Sequence, residues 1–159
     1  MTVNDMICKM IAQADGNKHD IAHFLKVYTY ARLIGEKEQL DARTQETLEI
    51  TAVIHDIACP LCREKYGNAS GKHQEQESAP LVEVFLEGTG VDEAMKERIS
   101  YLVCHHHTYT DVNGLDYQIL LEADFLVNIE EGGMPLNDKM RSLFKTQAGK
   151  ALLCDLFGG

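Results

Sequence analysis

Three prolines and twelve glycines in 159 residues are too few for a linker-rich or collagenous chain. No apolar run approaches the ~20 residues that a membrane-spanning helix needs, so a transmembrane reading is set aside. Basic residues are scarce too: fifteen Lys and Arg stand against twenty-five Asp and Glu, a formal charge of −10. That balance opposes the counterion release behind non-specific nucleic-acid binding, so a DNA or RNA partner is not expected. Residues 1–16 hold Asp5 and Asp15 around a short apolar patch, with neither a basic start nor a cleavage-like end. They do not read as a secretory signal, and a cytoplasmic location is expected.

Several motifs are missing as well. Cys59-Pro60-Leu61-Cys62 is a single C-x-x-C, while Cys8, Cys104 and Cys154 are scattered. No second pair stands at zinc-ribbon spacing, and no strand precedes the motif as a thioredoxin-like site requires. Reduced thiols are the plain expectation, with a reversible Cys59–Cys62 disulfide as the alternative. Between Gly67 and Gly71-Lys72-His73 lie three residues where a phosphate-binding P-loop has four, and His73 replaces the Ser or Thr that would hold magnesium. Neither Gly-x-Gly-x-x-Gly nor Gly-x-Ser-x-Gly occurs, which removes dinucleotide-cofactor and serine-hydrolase readings.

What is present fits one soluble domain over residues 1–159. With 45% apolar and 25% charged residues, a chain of this length buries roughly 70% of its unfolded surface. Apolar residues recur at helical spacing nearly throughout, without sustained period-two alternation, so the expected fold is an all-α bundle of six to seven helices. The periodicity places them near 3–14, 20–37, 42–58, 73–87, 91–107, 115–131 and 136–156. Pro80 should kink the fourth or mark its true first turn. Apolar stripes on the first and last helices either close the core or form the face of a homodimer.

Seven histidines ask for explanation, because three are consecutive and others lie beside acids. His23 shares a helical stripe with Val27, Ala31 and Ile34 and therefore points inward. The run Leu48 to Ile54 leads directly into His55-Asp56, with Asp56 on the face of Ala52 and Val53. Burying that carboxylate unpaired would cost several kcal/mol, so it needs a cation or a proton. Asp124 repeats the pattern among Tyr117, Leu120, Leu121 and Val127. In the triplet, His106 lies on the face of Ile99, Leu102 and Val103, and His105 looks back on Tyr101 and Leu102. His107 falls on the side of Ser100 and Cys104 and reads as ordinary. His73 sits among polar residues at a helix start. Each residue alone has a bland reading as a hydrogen-bonded core or surface group. Their coincidence on several inner faces points to metal, and imidazole with carboxylate suits Fe, Mn, Co, Ni or Zn.

These segments resemble the HD domain of metal-dependent phosphohydrolases. His23-Phe24-Leu25-Lys26-Val27 is similar to that family's first His segment. Ala52-Val53-Ile54-His55-Asp56-Ile57-Ala58 is similar to its His-Asp doublet, and Leu120-Leu121-Glu122-Ala123-Asp124-Phe125-Leu126 to its closing acid. The doublet alone says nothing, since His19-Asp20 occurs here without the apolar lead-in; the ordered set from His23 to Asp124 carries the resemblance. It implies His23, His55, Asp56, His73, His106 and Asp124 as ligands of one or two divalent ions, with Asp56 as the catalytic bridge. It further implies hydrolysis of a small phosphorylated metabolite such as a nucleotide or dinucleotide, in which water acidified by the ions attacks phosphorus in line. Lys26, Lys72 and His105 are candidate substrate contacts, with Arg63 and Lys65 nearby. Family members often carry a basic residue soon after His-Asp-Ile, where this chain has Ala58-Cys59-Pro60, so the resemblance does not supply the substrate. Two other outcomes fit the same residues: a di-iron oxidoreductase of this fold, or a ligand sensor whose metal only organises the protein.

Overall fold

The structure, a computed structural model describing residues 1–159, contains nine helices and no strand, in keeping with the helical periodicity. They are α1 (Val3–Gln13), α2 (Lys18–Lys37), α3 (Ala42–Ile54), α4 (Cys59–Tyr66), α5 (Gly71–Leu86), α6 (Glu93–His105), α7 (Leu115–Glu130), α8 (Asp138–Ser142) and α9 (Gln147–Phe157). Local chemistry sets most starts. The side chains of Thr2, Asn17, Asp41, Ser70, Asp92, Asn137 and Thr146 each accept a first-turn N–H, and each such cap contributes about 1 kcal/mol.

Two departures from the expected helices have identifiable causes. The segment 42–58 does not run through as one helix: α3 stops at Ile54, His55 is its C-cap, and α4 begins at Cys59. In a continuous helix the Pro60 ring would strike the carbonyl of Asp56, four residues back. The chain instead turns through Ile57 N–H to Ile54 O and Cys59 N–H to Asp56 O, both 2.9 Å, and Pro60 sits in the first turn of α4. The stretch expected as a connection after residue 58 is therefore helical as far as Tyr66. Gly67 ends it at φ 78°, a conformation costly for any residue with a Cβ.

The second departure is the last helix, expected over 136–156 and found as α8 and α9. Buried Glu122 of α7 accepts the backbone N–H groups of Lys145 and Thr146 at 2.9 and 3.1 Å, and the Thr146 hydroxyl at 2.6 Å. Those bonds hold the chain out of helical register and leave Thr146 to cap α9. Pro80, by contrast, lies exposed well inside α5 and not in its first turn.

Helix α2 packs against α3 and α7, while α3 also meets α1 and α6, and α5 lies against α4 and α6. One apolar core joins Val27, Ala31 and Ile34 of α2 to Leu120, Phe125 and Leu126 of α7. Another joins Phe24 of α2 to Ile50 and Val53 of α3, Phe85 of α5 and Ile99 of α6. His23, beside Phe24 and one turn from Val27, stands where α2 serves both. No helix is long and apolar enough to cross a membrane.

Candidate metal centre

Four elements bring their inward polar residues to one place. His23 comes from the first half of α2, His55 and Asp56 from the turn that Pro60 forces after α3, His106 from the C-cap of α6, and Asp124 from the middle of α7. His55 is fully buried, and His23, His106 and Asp124 are nearly so. The Asp56 side chain keeps 27% exposure, so solvent reaches the group at that carboxylate.

The ring orientations are fixed from behind. His55 Nδ1 donates to Ala52 O at 2.7 Å and His106 Nδ1 to Val103 O at 2.6 Å. A carbonyl only accepts, so these nitrogens carry the protons and the Nε2 lone pairs face inward. His23 Nδ1 lies 2.6 Å from Glu131 Oε1, which fixes its Nε2 in the same sense. Further support comes from Tyr117, whose hydroxyl donates to His105 O at 3.0 Å and Thr108 O at 2.7 Å and pins the turn that carries His106.

The inward atoms converge closely. His23 Nε2 is 3.3 Å from His55 Nε2, 3.1 Å from Asp56 Oδ2 and 3.2 Å from Asp124 Oδ1. His55 Nε2 is 3.3 Å from each of the same two oxygens. Asp56 turns its other oxygen, Oδ1, to within 3.2 Å of His106 Nε2. Lone pairs facing lone pairs repel, and neither His106 Nε2 nor Asp124 Oδ1 has a hydrogen-bond partner. Atoms bound to one ion at the usual N and O bond lengths lie roughly 3.0 to 3.4 Å apart, the spacing found here. Acceptor-only atoms, orphaned in a buried site and spaced in this way, fit a divalent cation. Asp56, with an oxygen in each group of donors, can serve one ion or bridge two.

Electrostatics without an ion show the same strain. Burial works against charge on His23, but Asp124 and Asp56 more than offset it and push its pKa up to about 11. His55 is likewise opposed by burial and raised by Asp56 and Asp124, to about 10. For Asp56 and Asp124 burial favours the neutral acid, yet His55 and the neighbouring imidazoles hold both carboxyls well below the ordinary range. Only positive charge, from protons or metal, reconciles the two carboxylates with their surroundings.

The other expected site residues, His73 among the expected ligands included, stand outside both groups of converging donors. His73 stacks on Tyr66 at 3.8 Å between ring centres, and its Nδ1 meets Asn68 Oδ1 at 3.0 Å. His105 stacks on Tyr101 at 4.0 Å and gives its Nδ1 proton to Tyr101 O at 2.7 Å. Lys26 reaches Glu130 at 3.0 Å on the rim, and Lys72 is exposed in the first turn of α5. His107 is more deeply placed than its sequence neighbours suggested: it packs on His106 at 4.0 Å, and its Nε2 is buried without a partner. Burial, followed by the neighbouring His106, pushes its pKa down to about 4.

Glu131 was not among the expected residues, although its signal was present, since it stands two turns beyond Asp124 on the same face of α7. Glu131→Ala is expected to weaken metal binding by roughly 10- to 100-fold, read by competition with a chelator, because His23 loses the partner that orients it. Glu131→Gln, which keeps an acceptor oxygen, should recover most of the affinity. Equal affinity in all three proteins would exclude Glu131 from the centre.

An all-helical bundle with a buried His and Asp centre, able to take divalent metal, is the class that fold and site define. The HD domain family matches residues 20–141, and the chain belongs to that family. Among solved structures, it resembles the crystal structure of a predicted HD superfamily hydrolase from an uncultured Thermotogales bacterium. The TM-score is 0.67 at 22% identity, over 96% of this chain and 82% of the other, a likeness of fold. No curated protein matches the sequence.

Proposed function

We propose that the chain is a metal-dependent phosphohydrolase acting on a phosphate ester or anhydride of a small metabolite, of the nucleotide or dinucleotide class. The observation that carries the reading is the position of Asp56. Its Oδ2 faces His23 and His55, its Oδ1 faces His106, and its side chain is the accessible member of an otherwise closed group. Ions held by His23, His55, Asp56 and Asp124, with His106 at the second position, would supply the charge that acidifies an attacking water and offsets that on the phosphoryl oxygens.

The chain's own contribution is orientation. Ala52 O, Val103 O and Glu131 hold three imidazoles in place, and the apolar faces of α2, α3 and α7 keep water from their backs. Lys26, one turn from His23, supplies a cation at the rim, where a phosphate would compete with Glu130 for it. Every donor comes from one chain, so a second copy is not needed to complete the centre. The same reading takes residues 1–159 as one domain working in the cytoplasm.

Metal analysis of the purified protein, then phosphate release from a nucleotide panel with added Mn, Co or Ni, tests the proposal. Phosphate release that depends on metal is the expected result. Metal-loaded protein that consumes oxygen with a polyol and releases no phosphate would replace it with di-iron oxidation. Metal-loaded protein inert in both assays would replace it with a ligand sensor.

A further inference from the structure

A cavity of about 380 Å³ opens beside Asp56, bounded by α1, the start of α2, the turn into α4, and α5. Met10, Phe24, Leu61 and Leu81 form much of its wall, and Gln13 offers a neutral amide. Its two charged residues, Asp20 and Asp56, are both acidic. Arg63, the cation beside Asp20, is already engaged there through both terminal nitrogens. No basic residue lines the cavity itself, so a second phosphate entering it would face Asp56 directly and would have to part Arg63 from Asp20 to gain a cation, leaving a carboxylate unpaired in its place. A neutral ring meets no repulsion from those charges and covers exposed apolar wall. An apolar cavity of about 150 Å³ accommodates benzene, so this one has room for a two-ring group.

We propose that this cavity receives the organic leaving group of a phosphomonoester: neutral, largely apolar and one or two rings in size, with a single phosphoryl group at the metal centre. The assignment of the group as a leaving group rests on the phosphohydrolase reading, which it narrows to monoesters and away from anhydrides and dinucleotides; the cavity's affinity for it does not. Hydrolysis joins a water oxygen to phosphorus, breaks the phosphorus–oxygen bond to the organic group, and leaves that group as a neutral alcohol after proton transfer. The alcohol then occupies the cavity without any phosphate.

Two measurements separate the parts. The first compares kcat/KM for ethyl phosphate and 2-(1-naphthyl)ethyl phosphate, whose alcohols have nearly equal acidity, and measures the corresponding naphthylethyl diphosphate as a competitor of the naphthyl monoester, because its own hydrolysis would expel a phosphate ester and not an alcohol. The naphthyl monoester should exceed the ethyl ester by roughly 10- to 100-fold, the scale of apolar discrimination in such pockets. The diphosphate should bind more weakly than the naphthyl monoester. The second follows binding of 2-(1-naphthyl)ethanol to the protein by its fluorescence, with and without metal. Leu61→Asp on α4 and Leu81→Asn on α5, both half-buried, the second packed on the edge of the core around Phe24 and Phe85, should each remove the ester preference and the alcohol binding together while each variant still melts cooperatively. Equal kcat/KM for both monoesters with no alcohol binding would overturn the cavity assignment and leave hydrolysis standing. A diphosphate that binds as tightly as the monoester would overturn the single-phosphoryl assignment. Alcohol binding that both variants abolish, with no phosphate released from any ester, would uphold the cavity and overturn hydrolysis.

Discussion

Asp56→Ala is expected to yield a folded protein that neither retains metal through purification nor releases phosphate. The substitution removes one donor from each group at once: Oδ2 from His23 and His55, and Oδ1 from His106. Losing a residue that only supports a ligand costs roughly 10- to 100-fold in metal affinity, so losing the shared ligand should exceed about 100-fold. The fold should tolerate the change, because the side chain is partly exposed in a turn and its removal lessens the crowding of lone pairs on Asp124. Metal content, measured beside thermal stability, distinguishes loss of the site from loss of the structure. Full metal content and full activity in Asp56→Ala would sink the site assignment. In the same series His106→Ala should weaken activity more than His107→Ala, since His106 Nε2 is 3.2 Å from Asp56 while His107 reaches the group only by packing on His106.

The centre was legible wherever a ligand's burial could be inferred from its own helix. His23, His106 and Asp124 each sit on an apolar stripe, and an ionisable group on such a stripe needs a partner whatever the tertiary structure. His55 and Asp56 follow a nearly continuous apolar run, which made them visible even though the end of α3 was misplaced. The break after them depends on Pro60, and its consequence at Asp56 is plain only when the carbonyl four residues back is considered. His73 and His107 were less legible because neither is decided by periodicity. His73 is drawn aside by Tyr66 and Asn68, and His107 is set by the turn after α6, where helical phase no longer applies. The cavity beside Asp56 left no mark in the sequence, since its walls are ordinary apolar residues from distant helices that fail to meet.

The same limit governs the second large effect, in which Glu122→Ala is expected to destabilise the protein by about 3–5 kcal/mol without removing a metal donor. Glu122 lies two residues before Asp124, on a segment of α7 where nearly every side chain is buried, and its own helix offers it only Gln118, one turn back. Its other partners arrive from beyond the next turn. Gln118 donates to Oε2 at 2.6 Å, joined by the N–H groups of Lys145 and Thr146, while the Thr146 hydroxyl donates to Oε1. Gly149 completes the arrangement, since a Cβ there would fall 1.8 Å from Oε1. Truncation to alanine strands several buried donors, each worth about 1–3 kcal/mol if unsatisfied, and frees the segment between α8 and α9. In a chain of this length that corresponds to a fall in Tm of roughly 10–15 °C. Glu122→Gln, whose amide oxygen can still accept the N–H groups that Oε2 accepts while its NH2 faces the Thr146 hydroxyl, should lose less than Glu122→Ala. Phosphate release per folded molecule, assayed well below the lowered Tm, should stay near that of the unaltered protein. A melting point unchanged in Glu122→Ala would mean that the break at residues 143–146 is held by something other than this carboxylate.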